Sequence, residues 1–376
     1  MRIALSEMLR RRGRWFSIVG AVAFIVFLVL VLAALADGLF VGTTGALTTG
    51  DSNALVYSTD GRRSLVRSEL PLSDLPEISA VSGVADVGTL GVLLGTATAT
   101  TATEPFDAAV IGHTPGHAGE PTKLVAGRRP EPGEPGVTLA DHSLEAEGVS
   151  LGDTLTIVGA SPSLTVVGFV EDSQYLLAHS LWVPLETWEA LRIEVRPETA
   201  RLGAFVQAFP ILVEEGADVE SVAGAIDRAM GSTETVTTDE AALSLPGVEQ
   251  QESTFTAIIA ASFVVVALVI ALFFALVTLE KRGQLAILKA IGSSNVFLLQ
   301  GVLVQAVIAT VAGYAIGFLL ARLLGFVLPA TVPVAFLPAT AASLFVATVA
   351  MGGLGAAFSF RRIVRIDPAS ALGGEA

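Results

Sequence analysis

The sequence contains no cysteine, and only three lysines and four histidines, among 376 residues. Without cysteine there are no disulfides and no thiolate metal sites; that suits a protein of the cell envelope but identifies no compartment. The lysines are Lys123, Lys281 and Lys289, followed by Leu124, Arg282 and Ala290. None can close the Gly-x4-Gly-Lys-Ser/Thr loop that cradles phosphates, so the chain has no P-loop ATPase of its own. A Gly-x-Ser-x-Gly elbow and a His-Glu-x-x-His pair are absent too, and no catalytic residues are expected. His113 and His117 are four apart, but Pro115 and Gly116 between them exclude a helical ligand pair and predict a surface loop, not a metal site.

Charge is the next scarcity, at 15% of residues against 52% apolar. Four regions carry none at all: Trp15–Ala36, Ser253–Leu279, Ala290–Ala321 and Leu323–Phe360. Each exceeds the roughly 20 apolar residues a bilayer-spanning helix needs. Pro329, Pro333 and Pro338 push the last span towards the end of its region. The predicted spans are 15–40, 253–279, 295–324 and 339–360. They are joined by a cytoplasmic segment 280–294 and an outer loop 325–338, with an amphipathic helix over 1–14 and a tail over 361–376. The arginine-rich start and Ala34-Leu35-Ala36 also suit a signal peptide, but the apolar run exceeds the 7–15 residues usual for one, so a retained anchor is expected.

Residues 41–252 read differently, as an α+β domain. Ala54–Ser58, Gly83–Thr101, Asp107–Ile111, Ser163–Glu171 and Ala204–Val213 are strand-like. Helices are expected at Ser73–Ile78, 141–147, Pro184–Ile193 and Ala217–Met230, and a turn-rich loop over 113–136. From about 247 a polar stretch leads into the second span as one continuous helix. Residues 41–254 hold 31 acidic and 10 basic side chains, a net charge of −21, against +7 for the rest of the chain. Nucleic acid is an improbable partner for such a domain.

The basic residues order the topology. Arg10, Arg11, Arg12 and Arg14 precede the first span, Lys281, Arg282 and Lys289 lie between the second and third, and Arg361, Arg362 and Arg365 follow the fourth. With four spans these sites share one side, and the positive-inside rule makes that side cytoplasmic. The expected location is the plasma membrane, with both termini inside and the acidic domain outside. Ile3, Leu5, Met8 and Leu9 would rest among lipid headgroups.

The segment Glu280–Ser294 does more than reverse the chain. Glu280, Lys281 and Arg282 open it, Gly283 follows, Leu285, Ile287, Leu288 and Ile291 form an apolar face beside Lys289, and Gly292 closes it. Topology needs the charge but not the apolar face. The pattern predicts a short amphipathic helix pressed against a partner protein.

The full layout resembles the FtsX/MacB-like permeases of ABC transporters: one span, a large outer domain, then three spans. The resemblance is carried by Arg282, the run Leu285–Leu288, Lys289-Ala290-Ile291-Gly292, and the tail Asp367-Pro368-Ala369 before Leu372. Gly148–Asp153 and the strand Thr165–Phe169 are similar to that family's outer core. Leu35–Leu39, Val56–Ser58 and Arg62–Leu70 resemble the smaller DevC/HrtB-type subgroup.

What the resemblance implies is a homodimer of permeases above a dimer of cytoplasmic ATPases, which bind the ATP and magnesium. Glu280, Lys281, Arg282, Gly283, Leu285, Leu288, Lys289, Ile291 and Gly292 would then form the coupling helix. The implied cargo in the HrtB-type subgroup is haem, carried as substrate and not as a cofactor of this chain. Haem iron takes His, Met, Tyr, Cys or a carboxylate, and every histidine lies between His113 and His179, outside the spans. Tyr314, Met351 or an acidic residue would have to serve the iron, or a histidine leaning down from the outer domain. The candidate substrate contacts are Asp37, Tyr314, Arg322 and Met351, with Asp37 also readable as an interfacial carboxylate, Tyr314 as core and Arg322 as a snorkelling cation. Gly313-Tyr-Ala-Ile-Gly317 would allow close helix approach, within one subunit or across the dimer. The competing functions are mechanotransmission, with the outer domain moved to regulate a cell-wall partner, and lipid or lipoprotein handling.

Overall fold

A computed structural model describes residues 12–102, 104–131, 133–280, 283, 287, 291–329 and 332–364. The expected helix over 1–14 (up to residue 11), Lys281, Arg282, Leu285, Leu288 and Lys289 of the 280–294 segment, and the tail from residue 365 lie outside these described residues. The chain divides into two compact units, Met1–Gly38 with Glu252–Ala376, and Leu39–Gln251.

Helix α1 runs Arg12–Thr48, eight residues beyond the expected end of the first span. Small residues of Val41–Thr48 contain no proline to stop it, and its last ten residues belong to the second unit. Ala46 and Leu47 are buried there beside Leu55, Tyr57 and Trp182.

The second unit is α+β. Its elements are β1 (Ala54–Ser58), β2 (Leu70–Pro71), α2 (Leu75–Ser79), β3 (Val84–Val87), β4 (Leu90–Ala99), β5 (Phe106–His113), β6 (Leu124–Gly127), β7 (Val137–Asp141), β8 (Thr154–Ile157), β9 (Ser163–Val170) and β10 (His179–Pro184). There follow α3 (Leu185–Val195), β11 (Phe205–Val206), β12 (Phe209–Val213), α4 (Val219–Met230), β13 (Thr233–Thr237) and α5 (Thr238–Leu243).

Seven strands are ordered β6-β9-β7-β10-β5-β4-β8, and an additional β8–β9 pairing closes six of them into a ring, with β8 paired to the first half of β9 and β6 to its second half. Closure removes the exposed edges an open sheet would present. The core of this ring gathers Leu93, Val110, Leu155, Leu164, Phe169 and Leu181 with Trp188 and Leu191 of α3. A second, antiparallel sheet is ordered β13-β1-β12-β3. Ile78 of α2 and Val222 and Ile226 of α4 are buried with its strands. Asp218 starts α4 by accepting the Ser221 N–H at 2.9 Å, and Gly231 ends it in the left-handed region.

Several local expectations change. His113 is not on a surface loop: it is the last residue of β5, paired with Pro184 and Leu90, and buried. The Pro115-Gly116 turn begins one residue too late to expose it. The loop 113–136 holds the short strand β6, paired irregularly with β9. The strand expected over Ala204–Val213 breaks at Gln207-Ala208, where both backbone N–H groups turn to Leu90 O. The stretch 141–147 holds a single 3-10 turn, His142–Glu145, tied by Asp141. Strand β13 was not expected, because Thr233-Glu-Thr-Val-Thr237 has a single apolar residue to mark it.

Helices α6 (Val248–Glu280), α7 (Asn295–Val327) and α8 (Pro338–Val364) complete the chain. With α1 they make four helices long and apolar enough to cross a membrane. Helix α6 starts in the polar stretch at Val248, and α7 starts at Ser294, whose hydroxyl accepts the Phe297 N–H. Pro338 opens α8 where its missing N–H costs nothing.

Candidate functional site

In the first unit, Gly313 and Gly317 settle one open choice. A Cβ on Gly313 would fall 2.6 Å from Val22 Cγ1, and one on Gly317 would fall 2.8 Å from Ala23 O. The small-residue motif therefore packs α7 against α1 of the same chain. Gly352 and Gly355 of α8 are equally close, to Thr310 and to Ala267 O. Lipid tails supply no hydrophobic force between helices, so backbone contact of this kind takes its place.

Three of the four intramembrane candidates converge on residues 336–341, where α8 begins. The Asp37 carboxylate lies beside the Thr340 side chain and the Leu337 backbone. That places a carboxylate at the N-terminal end of α8, where the helix dipole favours negative charge. Tyr314 Oη donates to Ala341 O at 2.5 Å, and its ring meets Phe345 edge-on at 5.1 Å and Phe318 stacked at 6.3 Å. The Arg322 guanidinium lies 5.1 Å from the centre of the Phe336 ring and 5.9 Å from that of Phe326, with the side chain exposed. Met351 is half-buried in α8, ten residues or about 15 Å along the helix from Ala341. Each of the three polar side chains thus lies against the start of α8 or the residues just before it.

Of the 280–294 segment, Glu280 ends α6, Gly283 and Ile287 are helical, and Ile291 N–H bonds Ile287 O at 3.0 Å. Ile287 and Ile291 are 54% and 78% exposed, one turn apart and so on one face. Gly292 has φ +96°, a left-handed geometry that breaks the helix before α7 starts.

The histidines are dispersed across the second unit. His113 Nδ1 donates to Val183 O at 3.1 Å, and burial pushes its pKa down to about 4, against the opposing field of Glu120. His117 Nδ1 lies 2.8 Å from Asp86 Oδ1. Burial alone would raise the Asp86 pKa, but this bond and the Ala118 N–H hold it below the ordinary value. His142 pairs with Glu145 at 2.9 Å, and His179 Nδ1 is 2.8 Å from Ser143 Oγ. Among the described residues, no three His, Asp or Glu are placed to hold a metal ion.

The architecture defines a multi-pass membrane protein with four apolar helices and a large α+β domain between the first and second. Residues 256–368 match the FtsX-like permease C-terminal family. The chain is 23% identical, over 374 residues, to a putative hemin transport system permease protein HrtB of Staphylococcus haemolyticus, covering 100% of this chain and 99% of that one. Its match to the HrtB of a Staphylococcus epidermidis strain is 24% over 234 residues and spans 62% of each protein. An uncharacterized ABC transporter permease of Mycobacterium tuberculosis is 25% identical over 379 residues, covering 99% of both. The chain is also similar to the periplasmic region of MacB from Actinobacillus actinomycetemcomitans (17% identity, TM-score 0.38, 52% of this chain and 92% of that one). For the extracellular domain of YknZ from Gram-positive bacteria the values are 15%, 0.36, 49% and 99%.

Proposed function

We propose that the protein is the permease subunit of an ABC transporter that uses a separate cytoplasmic ATPase to export a hydrophobic or amphiphilic substrate, with haem as the leading cargo. The supporting observation is the segment between α6 and α7, which lies inside the FtsX-like match and ends in a turn with Ile287 and Ile291 on an exposed face. The chain brings no P-loop of its own, so the ATP and magnesium belong to the partner. Leu285, Leu288 and Ile291 would dock in a groove of the ATPase, and Lys281, Arg282 and Lys289 would fix the register. The basic segments face the cytoplasm and the acidic domain faces outward. Two permease copies straddle two ATPases, with lipid around the helices.

The haem assignment is supported by the hemin-transport names of the HrtB relatives and by the amphiphilic nature of that cargo. The position of Asp37, Tyr314 and Arg322 against the start of α8 favours a second reading, in which the outer domain is moved to regulate an envelope partner. Titration of the purified protein with haemin separates the two: a Soret shift saturating near stoichiometry supports haem export, and its absence removes it. Coupling is tested by Leu288→Glu, which should abolish permease-dependent ATPase stimulation while the permease stays inserted. Full stimulation in that variant would remove the docking role.

A further inference from the structure

The end of α1 is held in an unusual way. Its residues Gly42-Thr-Thr-Gly-Ala46 carry almost no side-chain bulk, and the chain grips them by backbone. Leu177 N–H donates to Gly42 O at 2.8 Å, Leu176 N–H to Thr43 O at 3.0 Å, and Ala46 N–H to Gln174 O at 2.9 Å. Such a ladder between a helix and a loop needs the two backbones to touch. Gly42 and Gly45 permit it: a Cβ there would lie 2.9 Å from Leu177 Cδ2 and 2.5 Å from Asp172 O.

The gripping loop connects β9 to β10 and is shaped at a cost. Asp172, Leu176 and Leu177 have φ of +54°, +52° and +66°, three non-glycine residues in the left-handed region within six positions. What holds it in that shape is buried beneath. Asp141, at the end of β7, accepts the Ser143 N–H at 3.0 Å, the Ser143 hydroxyl, the Ser173 N–H at 3.4 Å and the Ser173 hydroxyl at 2.7 Å. Ser173 Oγ is 2.7 Å from Ser180 Oγ, to which Trp182 Nε1 donates at 3.1 Å. Gln174 Nε2 donates to Ser143 Oγ at 3.1 Å. Outside, Lys123 pairs with Asp172, and Thr49 Oγ1 donates to Glu171 O at 3.3 Å.

We propose that residues 171–178 are a backbone clasp that makes the last two turns of α1 and the closed ring of strands one rigid body, with Asp141 as the positioning residue that keeps the clasp shut. A helix secured by side chains alone can slip by one rotamer change; one secured through three backbone bonds at fixed glycines cannot shift without breaking all of them. Displacement of α1 is thereby imposed on the ring directly. This rests on the proposed coupling to an ATPase, since that is what would displace α1.

The test is hydrogen exchange on the full permease assembled with its ATPase in lipid nanodiscs, with and without ATP plus vanadate. Gly45→Val drives a wedge under Asp172 O, and Asp141→Ala removes the anchor. Asp218→Ala, which uncaps α4, is the control of comparable local cost. In the clasp variants the amides of 174–177 should exchange about tenfold faster, the scale of one lost buried hydrogen bond. The nucleotide-dependent change in β7–β10 should disappear while the change in α7 persists, and Asp218→Ala should keep both. Faster exchange at 174–177 with an undiminished response in β7–β10 would overturn the clasp. A wild-type protein with no nucleotide response anywhere would sink the ATPase coupling itself, and the clasp with it. If Gly45→Val and Asp141→Ala do not fold, Ser173→Ala, which removes one hydroxyl bond to Asp141 and leaves that carboxylate its other partners, carries the same two outcomes.

Discussion

The ring of strands and the membrane helices both use glycine for close packing, but they put opposite things into the space it leaves. In the ring, Gly91 and Gly112 leave a slot filled by the Trp188 indole, with hypothetical Cβ atoms 2.6 and 2.4 Å from its ring. In the helices, Gly317 and Gly355 leave room for another helix backbone, with hypothetical Cβ atoms 2.8 Å from Ala23 O and 2.5 Å from Ala267 O. Water accounts for the difference. A domain in water gains free energy by burying a large indole, whereas helices in lipid gain nothing by hiding apolar surface and rely on contact and dispersion.

The sharpest way to break this comparison is Gly317→Leu. Its side chain would enter the backbone of α1 at Ala23 O, where no flexible neighbour can give way. We expect loss of the folded helix bundle, seen as aggregation on detergent size exclusion, with the ring of strands still folded by its tryptophan signal. Gly112→Ala should be smaller and local. Its methyl collides with Trp188, which has to shift, at roughly 1–3 kcal/mol as for other overpacked cores. Thermal unfolding followed by tryptophan fluorescence checks it.

Which of these features the sequence discloses follows the same divide. The four spans are legible because the absence of charge over 20 or more residues has one common cause. The Gly313–Gly317 motif is legible as a close-approach signal, but its partner helix is not, since α1 and a second subunit satisfy it equally. Asp37 reads as an interfacial carboxylate, yet it lies at the start of α8 some 300 residues later, a proximity no local rule reveals. In the second unit β1 is marked by a continuous apolar run and β9 by the alternation of its first half, whereas β13 is half-masked by threonines and His113 by the turn that follows it. The segment 280–294 is the reverse case, where the pattern of charge and apolar residues speaks more plainly than the fold around it.

Acid sharpens the comparison, because its titrating groups lie in the second unit. His113 is fully buried and stays neutral down to about pH 4, whereas in the unfolded chain it takes up its proton near 6.5. Its folded pKa is depressed, so the unfolded state binds the extra proton in that window. Stability from this group is complete above about pH 6.5, declines as pH falls towards 4 and changes no further below that. The total is roughly 3 kcal/mol at most. Urea unfolding at a series of pH values, wild type against His113→Gln, should show the variant with a flatter profile between pH 6.5 and 4.

The same chemical device, a guanidinium on aromatic rings, is found once in each region among the described residues and gives the finest comparison. Arg192 is 3% exposed, with its guanidinium 4.3 Å from the Phe205 ring centre and 5.4 Å from that of Trp188, and it donates to Thr199 O at 3.1 Å. Arg322 lies over Phe336 at 5.1 Å but is exposed. Truncating Arg192 to alanine removes packing, a hydrogen bond and a desolvated ring contact together, and should cost about 2–4 kcal/mol in domain stability. Arg322→Ala removes one exposed ring contact, at about 0.5–1 kcal/mol. Arg322→Lys should recover part of that loss, because a lysine at the end of a span still reaches the headgroups with its charge while losing the flat face that lies on Phe336. Thermal unfolding in nanodiscs reads all three. If Arg322→Ala cost as much as Arg192→Ala, Arg322 would be doing more than anchoring α7, and its place among the substrate contacts would be strengthened.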